Sequence, residues 1–367
     1  MKKIFSFVAI VLSFIQFINA QSAKLTGAFA ASSGIAVDSK GNAFVTGGNN
    51  KVIKITADGK AELFAGGGRN RKDGAGKEIR FIDVEGIAID SSDNLYVTDG
   101  SRIRKITPEG FVTTVAGSEV SGYKDGDRLT AAFVSLENIA IDNKGTIYVT
   151  DNEFTNNRGS SGYHVIRKIT AEGFVTTIKN GNEGELRIHF ARGIACDKDG
   201  NLYVNASVSH CIKKNSPAGI ITTVAGQCDK TIFNSVYKEG PVSSAVLTNP
   251  SGIALDKNGD IYITDSRLHR IIKIANNKVT TVAGTGKFNF SGNPAGDAEP
   301  GYADGKALTA RFESPNGIAF DKNGNLYIVD RSSTNNSYIR KLSPDGMVTT
   351  FCKHEWNPKT SQYEEVD

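Results

Sequence analysis

Six polar residues share one place in a recurring motif. Ser33, Glu85, Glu137, Arg192, Ser251 and Asn316 each stand directly before Gly-Ile-Ala-x-Asp or a close variant of it. Glu85, Glu137 and Asn316 carry the carboxylate and amide oxygens that a hard, calcium-like cation takes, and Arg192 offers a planar guanidinium suited to an anion. A second set lies between the motifs, where Arg71, Lys72 and Lys124 neighbour Tyr123, Tyr237 and Tyr302. Aromatic faces beside cations suit sugars or an acidic protein surface. No Ser-His-Asp spacing, glycine-rich phosphate loop or paired-cysteine motif stands out, so no residue is assigned to catalysis.

The elements that must position these groups follow from the repeat. Gly34-Ile-Ala-Val-Asp38, Gly86-Ile-Ala-Ile-Asp90, Asn138-Ile-Ala-Ile-Asp142, Gly193-Ile-Ala-Cys-Asp197, Gly252-Ile-Ala-Leu-Asp256 and Gly317-Ile-Ala-Phe-Asp321 are one motif, with anchors 52, 52, 55, 59 and 65 residues apart by subtraction. A turn and three further short runs follow each anchor, as in Leu95-Tyr-Val-Thr98, Ile103-Arg-Lys-Ile106 and Phe111-Val-Thr-Thr-Val115. Runs of four to six residues rich in Val, Ile, Thr and Tyr, bounded by Gly, Asn and Asp, are antiparallel strands. A four-stranded sheet cannot bury both faces alone, whereas six stacked radially can. The expectation is an all-β, six-bladed β-propeller with four antiparallel strands per blade, the blades beginning near 34, 86, 138, 193, 252 and 317 and the propeller spanning 21–352.

Connectors repeat as well. Asp125-Gly and Asp304-Gly each precede a Phe five residues before the next anchor, Phe81 and Leu247 keep that offset, and Phe190 stands three before Gly193. Each such residue is expected to plug the gap between blades. Long segments fall between blades (67–85, 118–137, 227–251, 285–316) or between second and third strands (152–163), and both classes emerge on one face. Variable loops on a rigid scaffold usually carry binding, so the six pre-anchor residues are expected to ring the axis at that face.

Other candidates read as structural. His164, His210 and His269 match in position, but a third strand lies near 17 Å from the axis if the inner ring has a radius of roughly 7 Å and strands are about 4.8 Å apart. Zinc ligands at about 2 Å cannot bridge that spacing. Asp256-Lys-Asn-Gly-Asp260 opens like a calcium loop yet has Ile261 in the sixth place and Arg267 in the twelfth, so it is a turn. Asp99, Asp151, Asp265 and Asp330 end second strands, where a carboxylate can accept N–H groups of the next turn. Cys196 belongs to an apolar inner strand, Cys211 and Cys228 flank the outer half of blade four and could pair, and Cys352 is expected to stay free.

Asp304-Gly with Ala310-Arg-Phe312, then Pro315-Asn-Gly-Ile-Ala-Phe-Asp321, Gly324-Asn-Leu-Tyr327 and Asp330, with His269-Arg-Ile-Ile-Lys273, resemble the NHL repeat over nearly the whole chain after residue 20. The resemblance implies the propeller fold and a range of functions from interaction modules to a few enzymes. Lactonase and gluconolactonase propellers are more distantly similar. They imply an axial divalent metal held by Glu, Asn and Asp, and Glu85-Gly86 and Pro315-Asn316-Gly317 are similar to their metal-holding segments. Departures are Asn138 for an anchor glycine, Gly47 and Asn205 where other blades have Asp, and Arg192 or Ser251 where a further acid is expected.

The 367 residues carry 43 Lys and Arg against 39 Asp and Glu. Lys2 and Lys3 with an apolar stretch to Ile18 and Asn19-Ala20 read as an export signal over 1–20, too short in its apolar runs to span a bilayer. Without it the balance is 41 to 39, a net of +2, which argues against nucleic acid as a partner. The reading is an exported, monomeric, non-enzymatic module, periplasmic or extracellular. It would bind a protein or a carbohydrate on the long-loop face without a cofactor, and the segment 353–367 is left as a tail. The alternative is a metal-dependent lactonase-type hydrolase with Glu85, Glu137 and Asn316 on the cation.

Overall fold

A computed structural model describes residues 33–47, 50–152, 163–181, 184–228, 237–285, 300–331, 337–357 and 362–365. The expected export signal, Phe29, Phe288 and Phe290 lie outside these residues. β-branched and aromatic runs form six antiparallel sheets whose first four strands follow chain order. Blade one is Ile35–Val37, Ala43–Gly47, Lys51–Ile55 and Ala61–Ala65. The other inner strands are Val84–Ile89, Leu136–Ile141, Ala191–Cys196, Pro250–Leu255 and Pro315–Phe320. All six anchors and the isoleucines after them line one small cavity, which fixes the axis.

At the five glycine anchors the residue must be small because the next blade's backbone passes over it. A Cβ on Gly252 would sit 2.2 Å from the Asn316 carbonyl, and one on Gly317 would sit 2.4 Å from that of Ser33. A hydroxyl from the second strand crosses the same junction. Thr98 accepts the Gly86 N–H and donates to the Glu137 carbonyl, and Thr264 treats Gly252 and Asn316 alike. Each such buried bond contributes on the order of 1 kcal/mol. Strand register places Asn205 in this series, where its amide donates to the Ser251 carbonyl. The residue standing where other blades have Asp is therefore Ala206, one place beyond the sequence-based alignment.

Connectors add strands that the four-per-blade expectation lacks. Gly74–Ala75, Gly126–Asp127, Gly240–Pro241 and Gly305–Lys306 pair with the fourth strands of blades two, three, five and six as short fifth strands. Their glycines take φ between +128° and +154°, which side chains rarely adopt. Beyond them Phe81, Phe133, Leu247 and Phe312 are buried as plugs. In blade four Ile188 fills that place, five before Gly193, while Phe190 is partly exposed beside His164 and His189.

Blades one and six meet without exchange of a strand among the described residues. Ile35, Val45 and Ile53 pack against Tyr327, Val329, Ile339 and Cys352, and full burial of an aliphatic side chain contributes roughly 1.5–3 kcal/mol. The last strand, Met347–Asn357, runs beyond 352 and pairs with Gln362–Glu365, so part of the expected tail extends blade six. No helix among the described residues is long and apolar enough to cross a membrane.

Candidate functional site

The axial cavity is narrow, about 60 Å³, and its rim carries Ser33, Asn138, Arg192 and Asn316. Three of the six pre-anchor residues thus reach the axis. Ser251 is buried, with its hydroxyl near Ser266 and the Asn249 carbonyl. Asn138, read as a departure from the repeat, donates its amide to the Ala191 carbonyl of blade four. Such a volume holds a few waters at most, so a larger ligand would have to sit on the mouth.

Glu85 and Glu137 stand beside the cavity in a polar cluster that sequence reasoning did not assemble. Glu137 lies 3.0 Å from His164 Nε2 and accepts from the Asn152 amide at 3.4 Å. His164 is buried, and its Nδ1 accepts the Ala191 N–H at 3.3 Å, which leaves the proton on Nε2, facing Glu137. Burial pushes the Glu85 carboxyl up to about 7, reinforced by repulsion from Glu137 and Asp83 and opposed by His164. Burial, with Asp99 and Glu137 nearby, also raises Asp83. His210 and His269 play another part, each holding a connector carbonyl, of Thr248 and Glu313 respectively, through Nδ1.

Asn316 lines the axial cavity and Glu85 and Glu137 do not. Among the described residues no group of three His, Cys, Asp or Glu side chains could hold a metal ion.

The loop-face tyrosines each set one ring face against a buried arginine. Arg104, Arg167 and Arg340 are fully buried third-strand residues. Each pairs with the aspartate ending its blade's second strand, Asp99, Asp151 or Asp330, and with a connector aspartate, Asp73, Asp125 or Asp304. Tyr123 lies over Arg167 and Tyr302 over Arg340, at 4.9 and 4.6 Å, and Tyr237 lies over Arg270 at 3.9 Å. Burial raises the Tyr237 phenol to about 12. Removing one partner of such a buried pair costs about 3–5 kcal/mol. Asp99, Asp151 and Asp330 also accept N–H groups of the incoming connector, 16 or 17 residues earlier, whereas Asp265 takes Leu268 of its own next turn as expected. Arg71 and Lys72 remain exposed, Arg71 only 4.0 Å from Glu119, and Lys124 is exposed as well.

Turn aspartates of the motif cap their own loops. Burial works to raise Asp90, but hydrogen bonds from Asn94, Ser92 and Tyr96 outweigh it and hold the carboxyl low. Asp256 likewise accepts from Asn258 and Asp260, as the turn reading requires. Cys211 and Cys228 form a disulfide. Burial pushes the Cys196 thiol up, away from reactivity.

Comparison with known proteins bears on the repeat directly. Residues 247–274 match the NHL repeat model, and residues 273–363 match the teneurin NHL domain model. Both matches lie in blades five and six, so the propeller carries NHL repeats there. It is 26% identical over 306 residues to SUPPRESSOR OF QUENCHING 1, chloroplastic, of Arabidopsis thaliana, covering 77% of this chain and 27% of that one. It is 27% identical over 352 residues to NHL repeat-containing protein 2 of Bos taurus, covering 84% and 46%. Teneurin-3 of Mus musculus is 31% identical over 169 residues, 43% of this chain and 5% of that one. The chain thus spans less than half the length of these relatives. Among solved structures, an auxiliary nutrient binding protein from Bacteroides thetaiotaomicron matches with TM-score 0.53 at 15% identity, covering 92% and 84% of the two chains. A gluconolactonase from Xanthomonas campestris matches at 0.52 and 15%, covering 83% and 85%. These likenesses concern the NHL propeller's fold, which hosts both binding proteins and enzymes.

Proposed function

We infer that this NHL propeller is an exported, non-enzymatic binding module whose ligand sits on the long-loop face, over the axial mouth. The observation that carries the reading is the mouth itself. A cavity of about 60 Å³ admits no substrate of ordinary size, the acids Asp83, Glu85 and Glu137 cluster beside it, and Arg71, Lys72 and Lys124 are exposed on connectors further out. Mixed charge around a shallow mouth suits a macromolecular surface. A protein ligand is favoured over a carbohydrate, because Tyr123, Tyr237 and Tyr302 each already have one ring face engaged with an arginine. The Cys211–Cys228 disulfide fits an oxidising, exported compartment.

The test is capture of partners by the immobilised chain and by a variant with Arg71, Lys72 and Lys124 all reversed to Glu. Loss of the captured partner, with an unchanged circular dichroism spectrum and melting temperature, is the expected result. Undiminished capture by the variant would overturn the reading.

A further inference from the structure

Blade four departs from its neighbours at its outer edge. In blades two, three, five and six the fourth strand is covered by an acid-glycine pair from the preceding connector: Asp73-Gly74, Asp125-Gly126, Glu239-Gly240 and Asp304-Gly305. The acid accepts the backbone N–H of Thr114, Thr177, Thr281 or Thr350 at 2.8–2.9 Å. The glycine pairs with the valine two residues before that threonine. A connector N–H three residues beyond the acid then reaches the carbonyl of the turn before the strand, at Gly110, Gly173, Asn277 or Gly346. In blades two, three and six the third-strand arginine completes the arrangement by pairing with the same acid.

Blade four keeps the receiving groups and lacks the segment. Its fourth strand, Ile221–Gly226, ends a four-stranded sheet. Lys213 faces Thr223 in the register that sets Arg104 opposite Thr114, across the same irregularity. Thr223 is exposed, and among the described residues no carboxylate meets Lys213 or the Thr223 amide, and no backbone donor meets the Gly219 carbonyl. The preceding connector goes elsewhere, bridging Lys179 to Glu185 and pairing Arg187–His189 with blade three. A cavity of about 340 Å³ is left between blades three and four, lined by Tyr148, Lys168, Lys179, Pro217 and Gly219. Between blades one and two the corresponding slot is filled by the connector, so that a Cβ on Gly76 would lie 2.5 Å from the Gly110 carbonyl and 3.1 Å from Ala65. Lys168 also lacks the place over a second-strand tyrosine that Lys105, Lys214, Lys273 and Lys341 occupy.

We propose that the outer edge of blade four is a docking site for an extended acid-glycine segment of a partner protein, which adds to the sheet as its fifth strand. The partner's carboxylate pairs with Lys213 and accepts the Thr223 N–H. Its glycine lies against Ile221, and the residues that follow enter the cavity toward Lys168 and Lys179. Among the described residues, cationic side chains without acidic partners, an open backbone edge and an empty slot occur together at this junction, and four sister blades of the same chain show the geometry of the occupant. The site lies on the perimeter of the propeller and is separate from the axial mouth.

The probe is a decapeptide copying residues 303–312, Ala-Asp-Gly-Lys-Ala-Leu-Thr-Ala-Arg-Phe, titrated into the protein by calorimetry, with hydrogen exchange followed at Ile221 and Thr223. One-to-one binding with new protection of the Thr223 amide is expected. Asp→Asn in the peptide should weaken it by about tenfold or more, as loss of a charge-assisted pair does. Lys213→Glu should weaken it similarly, and a peptide with Lys in place of Asp should restore binding to that variant. The peptide substitution is read on unaltered protein, so a folding defect in the variant cannot imitate it. No binding, binding indifferent to both charge changes, or a Thr223 amide already protected before peptide is added would each overturn the proposal.

Discussion

Glu85 is caught between burial and its neighbours: it sits in a half-buried cluster with Asp83 and Glu137, and only His164 offsets their repulsion. Folding raises its carboxyl from 4.5 to about 7, so the folded state holds the proton more tightly than the unfolded chain. Its contribution to stability is fully present below pH 4.5 and is lost as pH rises through 7. Glu85→Gln should therefore flatten the fall in stability over that window and stabilise the protein above it by on the order of 1 kcal/mol, allowing for solvent screening. Urea unfolding at pH 5 and pH 8 checks this, and an unchanged pH slope in the variant would contradict the cluster's geometry. The sequence places Glu85 and Glu137 before their anchors but does not show that they stand outside the lining of the axial cavity. It also gave no sign that His164 differs from His210 and His269, because only the long third strand of blade three, Tyr163–Ile169, carries it to Glu137.

At the scale of the element, the repeat was legible because every blade writes the same hydrophobic pattern, and the inner strands appear where the anchors set them. The fifth strands were not, since two-residue strands such as Gly126–Asp127 have no periodicity and are defined by glycine φ and by a partner strand far away in sequence. The same blindness hid the buried Arg104, Arg167 and Arg340, which read as solvated charges along alternating strands yet are sealed by connector aspartates and aromatic rings. Blade four has Lys213 and Ala206 where blade two has Arg104 and Asp99. The Cys211–Cys228 disulfide ties its third strand to the end of its fourth, across 17 residues. Replacing both cysteines by serine should cost about 2–4 kcal/mol and expose the edge at Ile221–Gly226 to exchange before the rest of the sheet opens. Loss of protection spread evenly over all six blades would show instead that the disulfide does not act on blade four alone.

Over the whole molecule, six sheets of contiguous chain close by side-chain packing, with backbone and hydroxyl bonds crossing the blade junctions near the axis. That rigid ring leaves two places for a partner: the polar mouth under the long loops and the uncovered edge of blade four. The fold is shared with proteins of unlike activity, so the decision between a binding surface and a metal-dependent hydrolase rests on the mouth. The most direct measurement is the stoichiometry of tightly bound divalent metal in the purified protein by elemental analysis. The account expects no stoichiometric metal, and no change on substituting Glu85 or Asn316. One equivalent, lost in Glu85→Ala or Asn316→Ala, would contradict it.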